Sequence, residues 1–235
     1  MRLGGLQKLT LLDFPEHTAC TVFTQGCNLR CPFCHNSSLV LPEVAREYDE
    51  YDAEEFFDFL KKRTKLLDGV CITGGEPLLQ QDIRDFIVRI RDLGFKVKLD
   101  TNGSFPEKLK ELLDDGLVDY VAMDIKSSLE GYKTIGGVNN PPTDKIRESI
   151  KLLKDSNIPY EFRTTIVEEF HNEEVLSDIG KLIEGAPRYY LQRFEDSGML
   201  ICEELHPVRE EKLHSLLQTV RRYVPNAQIR GGEIG

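Results

Sequence analysis

Short, unbroken runs of apolar and β-branched residues recur along the chain, and a stretch with helical spacing follows each of them. Such runs are typical of strands that are covered on both faces, as in a parallel sheet. They predict strands at residues 18–24, 69–73, 96–100, 120–125, 160–167 and 188–193. Apolar residues three or four positions apart predict helices at residues 52–62, 81–93, 106–113, 144–153, 172–183 and 209–223.

These strand–helix units predict an α/β fold with a parallel sheet and right-handed crossovers. An open doubly wound sheet and a barrel-like sheet fit the alternation equally well, and in both of them ligands bind at the C-terminal ends of the strands. We expect one domain over residues 1–235, with its core at about 16–223. The glycine pairs near the two ends, Gly4-Gly5 and Gly231-Gly232, are expected to be mobile.

The charge balance narrows the range of partners. The chain has 30 Lys and Arg residues against 40 Asp and Glu residues, a formal net charge of −10. Such an acidic chain lacks the basic surface that binds nucleic acids and anionic membranes. No run approaches the roughly 18 apolar residues of a membrane helix, and residues 1–10 lack the apolar segment of an export signal. We therefore expect a cytoplasmic protein with no nucleic-acid or membrane partner.

Three of the six cysteines lie within eight residues, directly after the first predicted strand. Cys27, Cys31 and Cys34 have the spacing C-x3-C-x2-C, which brings three thiolates to one side of a tight turn. In a cytosolic protein, such a cluster is more typical of metal binding or catalysis than of disulfide bonds. Three soft anionic ligands suit Zn²⁺ or an iron–sulfur cluster.

The number of ligands bears on the choice between these metals. A structural zinc site needs four ligands, a catalytic zinc site needs three ligands and one open position, and a ferredoxin-type cluster needs four cysteines. No fourth cysteine has a suitable spacing. His35 is adjacent to Cys34 in the chain, so binding of one ion by both side chains would strain the backbone. A cube of four irons held by three thiolates leaves one iron free for a substrate or cofactor. We expect Cys20 and Cys71 to be small buried side chains, and Cys202 to be a buried or an incidental thiol.

Polar residues follow the second and third predicted strands, at the edge where ligands are expected. Gly74 and Gly75 allow the backbone to approach a ligand closely, although an ordinary turn also explains them. Glu76 suits a supporting role, in which it fixes the bend or a neighbouring polar group. Asn102 could hydrogen-bond a ribose or a carboxylate, and a plain turn explains it equally well.

The later strands add further charged and polar side chains. Asp124 and Lys126 lie two positions apart, so both can reach one polar ligand or form a structural ion pair. Arg163 shares a strand face with Thr165, and its burial is costly without an anionic ligand or a carboxylate partner. Gln192 lies near the end of the sixth predicted strand.

The cysteine motif, with an aromatic residue before its third cysteine, resembles that of the radical S-adenosylmethionine (SAM) superfamily. The segment Thr73-Gly74-Gly75-Glu76-Pro77 resembles the GGEP segment of the same superfamily. The resemblance covers most of the chain and implies a single-domain partial (β/α)6 barrel. It implies that Cys27, Cys31 and Cys34 hold one [4Fe-4S] cluster whose fourth iron binds the amino and carboxylate groups of SAM. It also implies that the backbone of the glycine pair receives the SAM ammonium.

Softer features resemble one branch of that superfamily. Cys34-His35-Asn36 and Asp13-Phe14-Pro15 are similar to segments of the glycyl-radical-enzyme activases, and residues 4–10 look like those of the anaerobic ribonucleoside-triphosphate reductase activating proteins. This resemblance implies reductive cleavage of SAM and hydrogen abstraction from a glycine of a partner reductase. It also implies a low-potential electron donor, flavodoxin or ferredoxin.

The resemblance further suggests which residues contact SAM. Phe33 and His35 are placed to pack on its adenine. The other expected contacts are Gly74, Gly75, Glu76, Asn102, Asp124, Lys126, Arg163, Thr165 and Gln192. Tyr132 and residues 136–140 are expected to form a flexible loop that acts as a lid or contacts the partner. The four other histidines, His171 among them, are dispersed, and we expect no chemistry from them.

Two alternative functions stay open on the sequence. One keeps the radical chemistry but acts on a small molecule. The short chain favours the activase over it, because small-molecule members often carry extra domains or extra cluster cysteines. The other is a non-enzymatic module that binds zinc or an iron–sulfur cluster, and the lack of a fourth ligand at usable spacing counts against it.

Overall fold

In the computed structural model, the described part of the chain contributes eight strands to one sheet, in sequential order. The structure describes residues 1–41, 51–196, 198, 200–202 and 204–231. The strands are β1 Leu3–Thr10, β2 Ala19–Thr24, β3 Gly69–Gly74, β4 Lys96–Thr101, β5 Tyr120–Asp124, β6 Tyr160–Ile166, β7 Tyr189–Arg193 and β8 Gln228–Arg230. Strands β2 to β8 run parallel to one another, and β1 is antiparallel to β2. The six predicted strands are β2 to β7, and the sheet has one more strand at each edge.

Helices follow each of the strands β2 to β7. They are α1 Ser37–Val40, α2 Ala53–Lys61, α3 Ile83–Asp92, α4 Pro106–Asp114, α5 Tyr132–Ile135, α6 Thr143–Asp155, α7 Glu173–Leu182 and α8 Glu210–Arg221. The six predicted helices are confirmed within about two residues at each end, and α1 and α5 are short additions. Among the helices of the described residues, none has both the length and the apolar character that crossing a bilayer requires.

The sheet extends beyond the expected core of about residues 16–223 on both sides, with β1 before it and β8 after it. Gly4 and Gly5 lie inside β1, so the expectation of a mobile N-terminal glycine pair is wrong. A Cβ atom at Gly4 would lie 2.2 Å from Leu39 Cδ2, so the glycine lets β1 approach the segment after the cysteine loop. Backbone pairing needs no side chains, which explains how a glycine-rich segment joins the sheet. Gly231 follows β8 directly, and Gly232 lies outside the described residues.

Local signals in the sequence define where the helices begin. The Asp52 Oδ1 atom accepts hydrogen bonds from the N–H groups of Glu54 at 2.6 Å and Glu55 at 3.0 Å, so α2 begins directly after this cap. Asn172 caps α7 in the same way and accepts a hydrogen bond from the Val175 N–H at 2.9 Å. Apolar side chains at helical spacing then bury one face of each long helix in the core.

The two faces of the sheet differ in chemistry, and this difference positions the site. On β4, Val97 and Leu99 belong to the apolar core, while the alternating residues Lys98 and Asp100 pair with each other. Strands β1 and β8 form the two edges of an open, barrel-like sheet. The carboxyl ends of β3 to β7 border one cavity, as expected for a parallel sheet.

Candidate active site

A cavity of about 270 Å³ opens at the carboxyl ends of the parallel strands. All but one of the candidate residues line it, and the exception is Glu76. The lining candidates are Cys27, Cys31, Phe33, Cys34, His35, Gly74, Gly75, Asn102, Asp124, Lys126, Arg163, Thr165 and Gln192. The fold therefore brings together side chains that lie up to 165 residues apart along the chain, from position 27 to position 192.

The three cysteines lie on the loop between β2 and α1. The Cys34 N–H donates a hydrogen bond to the Cys31 carbonyl oxygen at 3.0 Å, which closes a tight turn. The Cys27 sulfur accepts hydrogen bonds from the Leu29 N–H at 3.4 Å and from the Asn102 side-chain amide at 3.7 Å. Donors directed at a sulfur atom favour its thiolate form, which is the form that binds metals.

The three cysteines that line the cavity are soft donors of the kind that an iron–sulfur cluster requires. Burial raises the pKa of the Cys27 thiol to about 12 and that of the Cys31 thiol to about 11, so metal charge is needed to make them thiolates. Within the described ranges, no group of three or more Cys, His, Asp or Glu side chains is arranged to hold one metal ion. A cubic cluster presents a separate iron to each thiolate, so its three ligands need not converge on one point.

Gly74 and Gly75 form a bend at the end of β3 that packs tightly on neighbouring backbone. Gly74 has a φ angle of +119°, which favours glycine, and a Cβ atom there would lie 2.3 Å from Thr24 N. A Cβ atom at Gly75 would lie 2.0 Å from the Gly26 carbonyl oxygen. Glycine is therefore required here so that the end of β3 can approach the chain that leads into the cysteine loop.

Glu76 lies behind the cavity wall and connects the ends of β3 and β4. Its side chain is fully buried. Oε1 accepts hydrogen bonds from the Leu78 N–H at 3.0 Å and the Thr101 hydroxyl at 2.8 Å, and Oε2 accepts one from the Asn102 N–H at 2.7 Å. Burial raises the pKa of Glu76 to about 7, and the three hydrogen bonds oppose that rise. Glu76 thus orders Asn102, which itself lines the cavity.

Five buried or half-buried side chains of alternating charge form what we call the charge ladder: Lys98, Asp100, Arg163, Asp124 and Lys126. Lys98 pairs with Asp100. Arg163 Nη1 lies 3.1 Å from Asp100 Oδ2, and Arg163 Nε lies 2.8 Å from Asp124 Oδ1. Lys126 Nζ lies 2.9 Å from Asp124 Oδ2. Each carboxylate therefore has two cationic partners, and Arg163 has the carboxylate contacts that its burial requires.

The charge ladder stays ionised although it is shielded from water. Burial would raise the pKa of Asp124, but Arg163 and Lys126 hold that pKa well below its usual value. Burial would lower the pKa of Lys98, and the Asp100 carboxylate raises it instead. Lys98 and Asp100 are absent from the sequence-based candidates. The available signal was a pair of charged residues that alternates with apolar ones inside a predicted strand.

The two aromatic candidates contact other aromatic rings. Phe33 is 3% exposed, and its ring centroid lies 6.1 Å from that of Phe170 and 6.4 Å from that of His171. The half-buried His35 ring lies 5.7 Å from the ring of Phe194, and burial lowers the pKa of His35. Both side chains border the cavity, and the enclosed Phe33 ring leaves little surface on which adenine could stack.

The expectation that Tyr132 belongs to a flexible loop is wrong, whereas a partner contact by residues 136–140 stays a prediction. Tyr132 is fully buried within α5, and its hydroxyl oxygen accepts a hydrogen bond from the Lys126 N–H at 2.9 Å. The Gly136 carbonyl oxygen accepts a hydrogen bond from the Arg30 N–H at 2.8 Å. The segment after β5 is thus anchored by a buried ring and hydrogen-bonded to the cysteine loop.

The other three cysteines lie outside the set that lines the cavity. Cys20 and Cys71 are fully buried, as predicted for small core side chains. Burial raises the pKa of the Cys20 thiol to about 12, which keeps it protonated. Cys202 is exposed, and its backbone N–H donates a hydrogen bond to the Pro32 carbonyl oxygen at 3.0 Å.

Comparison with known proteins shows the family to which the chain belongs. The family model of the radical SAM superfamily matches residues 21–182. A Methanocaldococcus jannaschii protein, provisionally named a glycyl-radical enzyme activating enzyme, is 34% identical over 234 residues, which cover 97% of this chain and 95% of that protein. The pyruvate formate-lyase-activating enzyme of Clostridium pasteurianum is 28% identical over 215 residues, which cover 87% of each chain.

Solved structures share the fold at lower sequence identity. Streptococcus suis SuiB aligns with a TM-score of 0.69 at 15% identity over 91% of this chain, which spans 49% of the SuiB chain. A domain of the pyruvate-formate lyase-activating enzyme from Bacteroides vulgatus aligns with a TM-score of 0.55 at 21% identity. That alignment covers 69% of this chain and 99% of the domain. At sequence identities this low, the comparison shows that the fold is shared and nothing more.

The sheet is mainly parallel and carries a three-cysteine loop at its carboxyl edge, and the relatives that match the chain bear the names of enzymes. This chain belongs to the radical SAM superfamily, and within it the chain is a homologue of the glycyl-radical enzyme activating enzymes. The superfamily implies a [4Fe-4S] cluster and SAM as cofactors. A non-enzymatic zinc or iron–sulfur module does not agree with these relatives, because their names are those of enzymes.

Proposed function

We propose that this protein is an activase that holds one [4Fe-4S] cluster through Cys27, Cys31 and Cys34, binds SAM beside it and generates a glycyl radical on a partner enzyme. One observation carries the proposal: the three cysteines share a single cavity with the Gly74–Gly75 bend and with charged side chains of the ladder. A three-thiolate loop beside a polar, charge-lined cavity matches the needs of a cluster with one open iron and a zwitterionic ligand.

The charged groups at the cavity suit the amino-acid part of SAM. SAM carries a carboxylate, an ammonium and a positive sulfonium. We assign its carboxylate to the Lys126 and Arg163 cations, because charge-assisted hydrogen bonds to such groups are strong. We assign its ammonium to the backbone at Gly74 and Gly75 and to the neighbouring Asp124 carboxylate.

Uncharged polar groups border the rest of the cavity and suit the nucleoside part. Thr165 and Gln192 are register partners on β6 and β7, so both face the same region. Asn102 lines the same cavity and is fixed through its backbone by Glu76. We assign these groups to the ribose and His35 to the adenine edge, with Phe33 supporting the cluster loop.

When bound, the cluster and SAM supply a one-electron cleavage that yields methionine and a hydrogen-abstracting 5′-deoxyadenosyl radical. The residues of this chain bind and orient SAM, and they keep water and other hydrogen donors away from the reacting atoms. The low exposure of Cys31 at 8%, Phe33 at 3% and Asn102 at 6% supports that shielding role.

We propose the anaerobic ribonucleoside-triphosphate reductase as the partner enzyme. Residues 4–10, which resemble its activating proteins, form most of β1 at an edge of the sheet. A sheet that is open between β1 and β8 gives a glycine-bearing loop of a large protein a way to reach the cavity. The relatives are named as activating enzymes of other enzymes, and such names favour a protein substrate. Flavodoxin or ferredoxin is the proposed electron donor.

We further propose that residues 1–235 act as one radical SAM domain in the cytoplasm. The sheet runs in sequence order from Leu3 to Arg230, which supports one folding unit. The reducing conditions of the cytoplasm keep thiols available for a cluster, which supports the location.

The cofactor chemistry is tested by anaerobic reconstitution with iron and sulfide, reduction with dithionite and addition of SAM. We expect about four irons per chain, as one [4Fe-4S] cluster requires, and release of 5′-deoxyadenosine. Cys31→Ala should lose both, and Cys202→Ala, a matched change outside the cavity, should keep both. A wild-type protein that contains one zinc and no iron, or that forms no 5′-deoxyadenosine, would refute the proposal.

The partner is tested by mixing the reduced, SAM-loaded protein with the anaerobic reductase and recording EPR spectra. A glycyl-radical signal that depends on SAM and is absent with Cys31→Ala supports the activase. Formation of 5′-deoxyadenosine without a glycyl signal on any glycyl-radical enzyme would instead support a small-molecule substrate.

A further inference from the structure

The backbone of Lys126 is held by hydrogen bonds on both sides of the residue. Its N–H donates to the hydroxyl oxygen of Tyr132 at 2.9 Å. Its carbonyl oxygen lies 3.1 Å from Nε2 of His171. Nδ1 of the same imidazole lies 3.0 Å from the Val167 N–H and 3.3 Å from the Val167 carbonyl oxygen. The shorter contact makes Nδ1 the acceptor, which assigns the ring hydrogen of neutral His171 to Nε2, facing the Lys126 carbonyl.

Both of these side chains are almost completely enclosed. Tyr132 is 0% exposed and His171 is 1% exposed, so their positions are determined by packing. Burial lowers the pKa of His171, which keeps its ring neutral and preserves this pattern of one acceptor and one donor nitrogen. A surface histidine could not restrict the Lys126 carbonyl to one position in this way.

The same residues connect Lys126 to the cysteine loop. The ring of His171 packs against Phe33, which lies between Cys31 and Cys34, with 6.4 Å between ring centroids. Further along the segment after β5, a Cβ atom at Gly137 would lie 2.0 Å from the Arg30 carbonyl oxygen. The cysteine loop and the segment that carries Lys126 therefore form one packed unit.

The Lys126 side chain extends from this fixed backbone into the cavity. Its ammonium is 2.9 Å from the Asp124 carboxylate, and the side chain is 18% exposed. Lys126 lines the same cavity as Cys27, Cys31 and Cys34. A positive charge in the cavity that the three sulfurs share acts electrostatically on the whole ligand set.

We propose that His171, together with Tyr132, is a positioning residue that fixes the Lys126 ammonium beside the three cysteines and thereby raises the reduction potential of the cluster. The inference rests on the proposed function, since it requires a [4Fe-4S] cluster at these cysteines. His171 is not among the residues that line the cavity, so it acts through Lys126, which does line it.

The direction of the effect follows from charge. Reduction adds one negative charge to the cluster, and a fixed cation nearby stabilises the reduced form more than the oxidised form. Net charge and hydrogen bonding around the sulfurs are among the factors that set cluster potentials. Loss of the Lys126 charge, or of the contacts that hold it in place, should therefore make the potential more negative.

The test is an EPR-monitored redox titration of the reconstituted cluster without SAM. Lys126→Met should shift the potential to a more negative value. His171→Phe keeps an aromatic ring against Phe33 but removes the donor to the Lys126 carbonyl, and it should shift the potential in the same direction. His171→Gln restores a side-chain N–H at similar reach and should recover most of the wild-type value. His214→Phe, an exposed change on α8, should leave the potential unchanged.

The double variant distinguishes positioning from a general structural role. Because His171 acts through Lys126, His171→Phe combined with Lys126→Met should have the potential of Lys126→Met alone. Shifts that add up in the double variant, or a His171→Phe protein with a lower unfolding midpoint but the wild-type potential, would overturn the inference. If His171→Phe does not fold, Tyr132→Phe removes the other contact to Lys126 and must shift the potential the same way.

The failure of the proposed function would look different. In that case the wild-type protein would assemble no [4Fe-4S] cluster, as iron and sulfide analysis would show, and the inference would fall with it. A wild-type protein with an intact cluster whose potential does not respond to Lys126→Met would refute the inference and leave the proposed function standing.

Discussion

The Glu76 carboxylate accepts a hydrogen bond from the Asn102 backbone N–H at 2.7 Å and so joins the ends of β3 and β4. The Leu78 N–H and the Thr101 hydroxyl donate to the same carboxylate. All three donors are buried, and a buried donor without an acceptor is costly. One side chain that does not border the cavity therefore determines how two walls of the cavity meet.

Replacement of Glu76 by Gln tests this relationship. The amide places N–H groups against at least one of the three donors, so we expect the free energy of unfolding to fall by about 1–3 kcal/mol. Urea denaturation measures the change. Glu184→Gln, the same substitution at an exposed position, should change stability by less than about 0.5 kcal/mol. Equal stability of the two variants would contradict the role of Glu76.

Arg163 separates two carboxylates in the charge ladder. Arg163→Met leaves Asp100 and Asp124 without their shared cation, and breaking such a buried pair costs about 3–5 kcal/mol. Arg84→Met is a matched control, because Arg84 is 44% exposed and pairs with Asp115 at the surface. An exposed pair is worth about 0–1 kcal/mol, so urea denaturation should show a much larger loss at Arg163. Similar losses for both variants would mean that the charge ladder adds little to stability.

The charge ladder also predicts how stability depends on pH. The pKa of Asp124 lies below its usual 3.8 in the folded protein, because Arg163 and Lys126 outweigh the effect of burial, and it returns to about 3.8 on unfolding. The unfolded chain therefore binds the proton first as the pH falls. The stabilisation by Asp124 is fully present above pH 3.8 and is lost as the pH falls through the folded pKa. Unfolding free energies measured below about pH 5 should fall less steeply for Asp124→Asn than for wild type, and parallel curves would argue against this account.

Gly75 provides a test of the close approach between β3 and the cysteine loop. Gly75→Ala places a Cβ atom 2.0 Å from the Gly26 carbonyl oxygen, so the backbone must move, at a cost of about 1–3 kcal/mol. Gly5→Ala is the control, because a Cβ atom there meets nothing within 4 Å. Thermal unfolding should show a lower midpoint for Gly75→Ala and little change for Gly5→Ala. A Gly75→Ala protein with the wild-type midpoint would show that the bend tolerates a side chain.

The parts of the fold that were predictable depend on local patterns. The helix α7 begins after Asn172 because a side-chain cap and the apolar spacing behind it are both written within a few consecutive residues. Strand β1 was missed because its residues have no such pattern. Gly4 and Gly5 contribute no side chain to a core, and the segment is ordered by backbone pairing with β2, a pairing that no local pattern within residues 3–10 reveals.

The residues of the site also differ in whether a local sequence pattern reveals them. Cys27 and its two partner cysteines could be found because a short spacing in the sequence carries the chemistry of the site. His171 could not, because its role depends on the Lys126 carbonyl, 45 residues away along the chain. Lys98 and Asp100 had a local signal, a charged pair inside a predicted strand, but their place in the charge ladder depends on Arg163. The role of a buried polar side chain depends on its hydrogen-bond or ion-pair partner, and tertiary packing determines which group that partner is.

The amino-acid sequence by itself determined the six strand–helix units and the three-cysteine loop, because periodicity and motif spacing act over short distances along the chain. Only the tertiary structure decided that Arg163 lies between Asp100 and Asp124, that Glu76 fixes Asn102, and that Tyr132 is a buried anchor rather than part of a lid. These contacts form between strands and loops that meet only when the sheet is assembled, so their energies depend on burial that no local segment can provide.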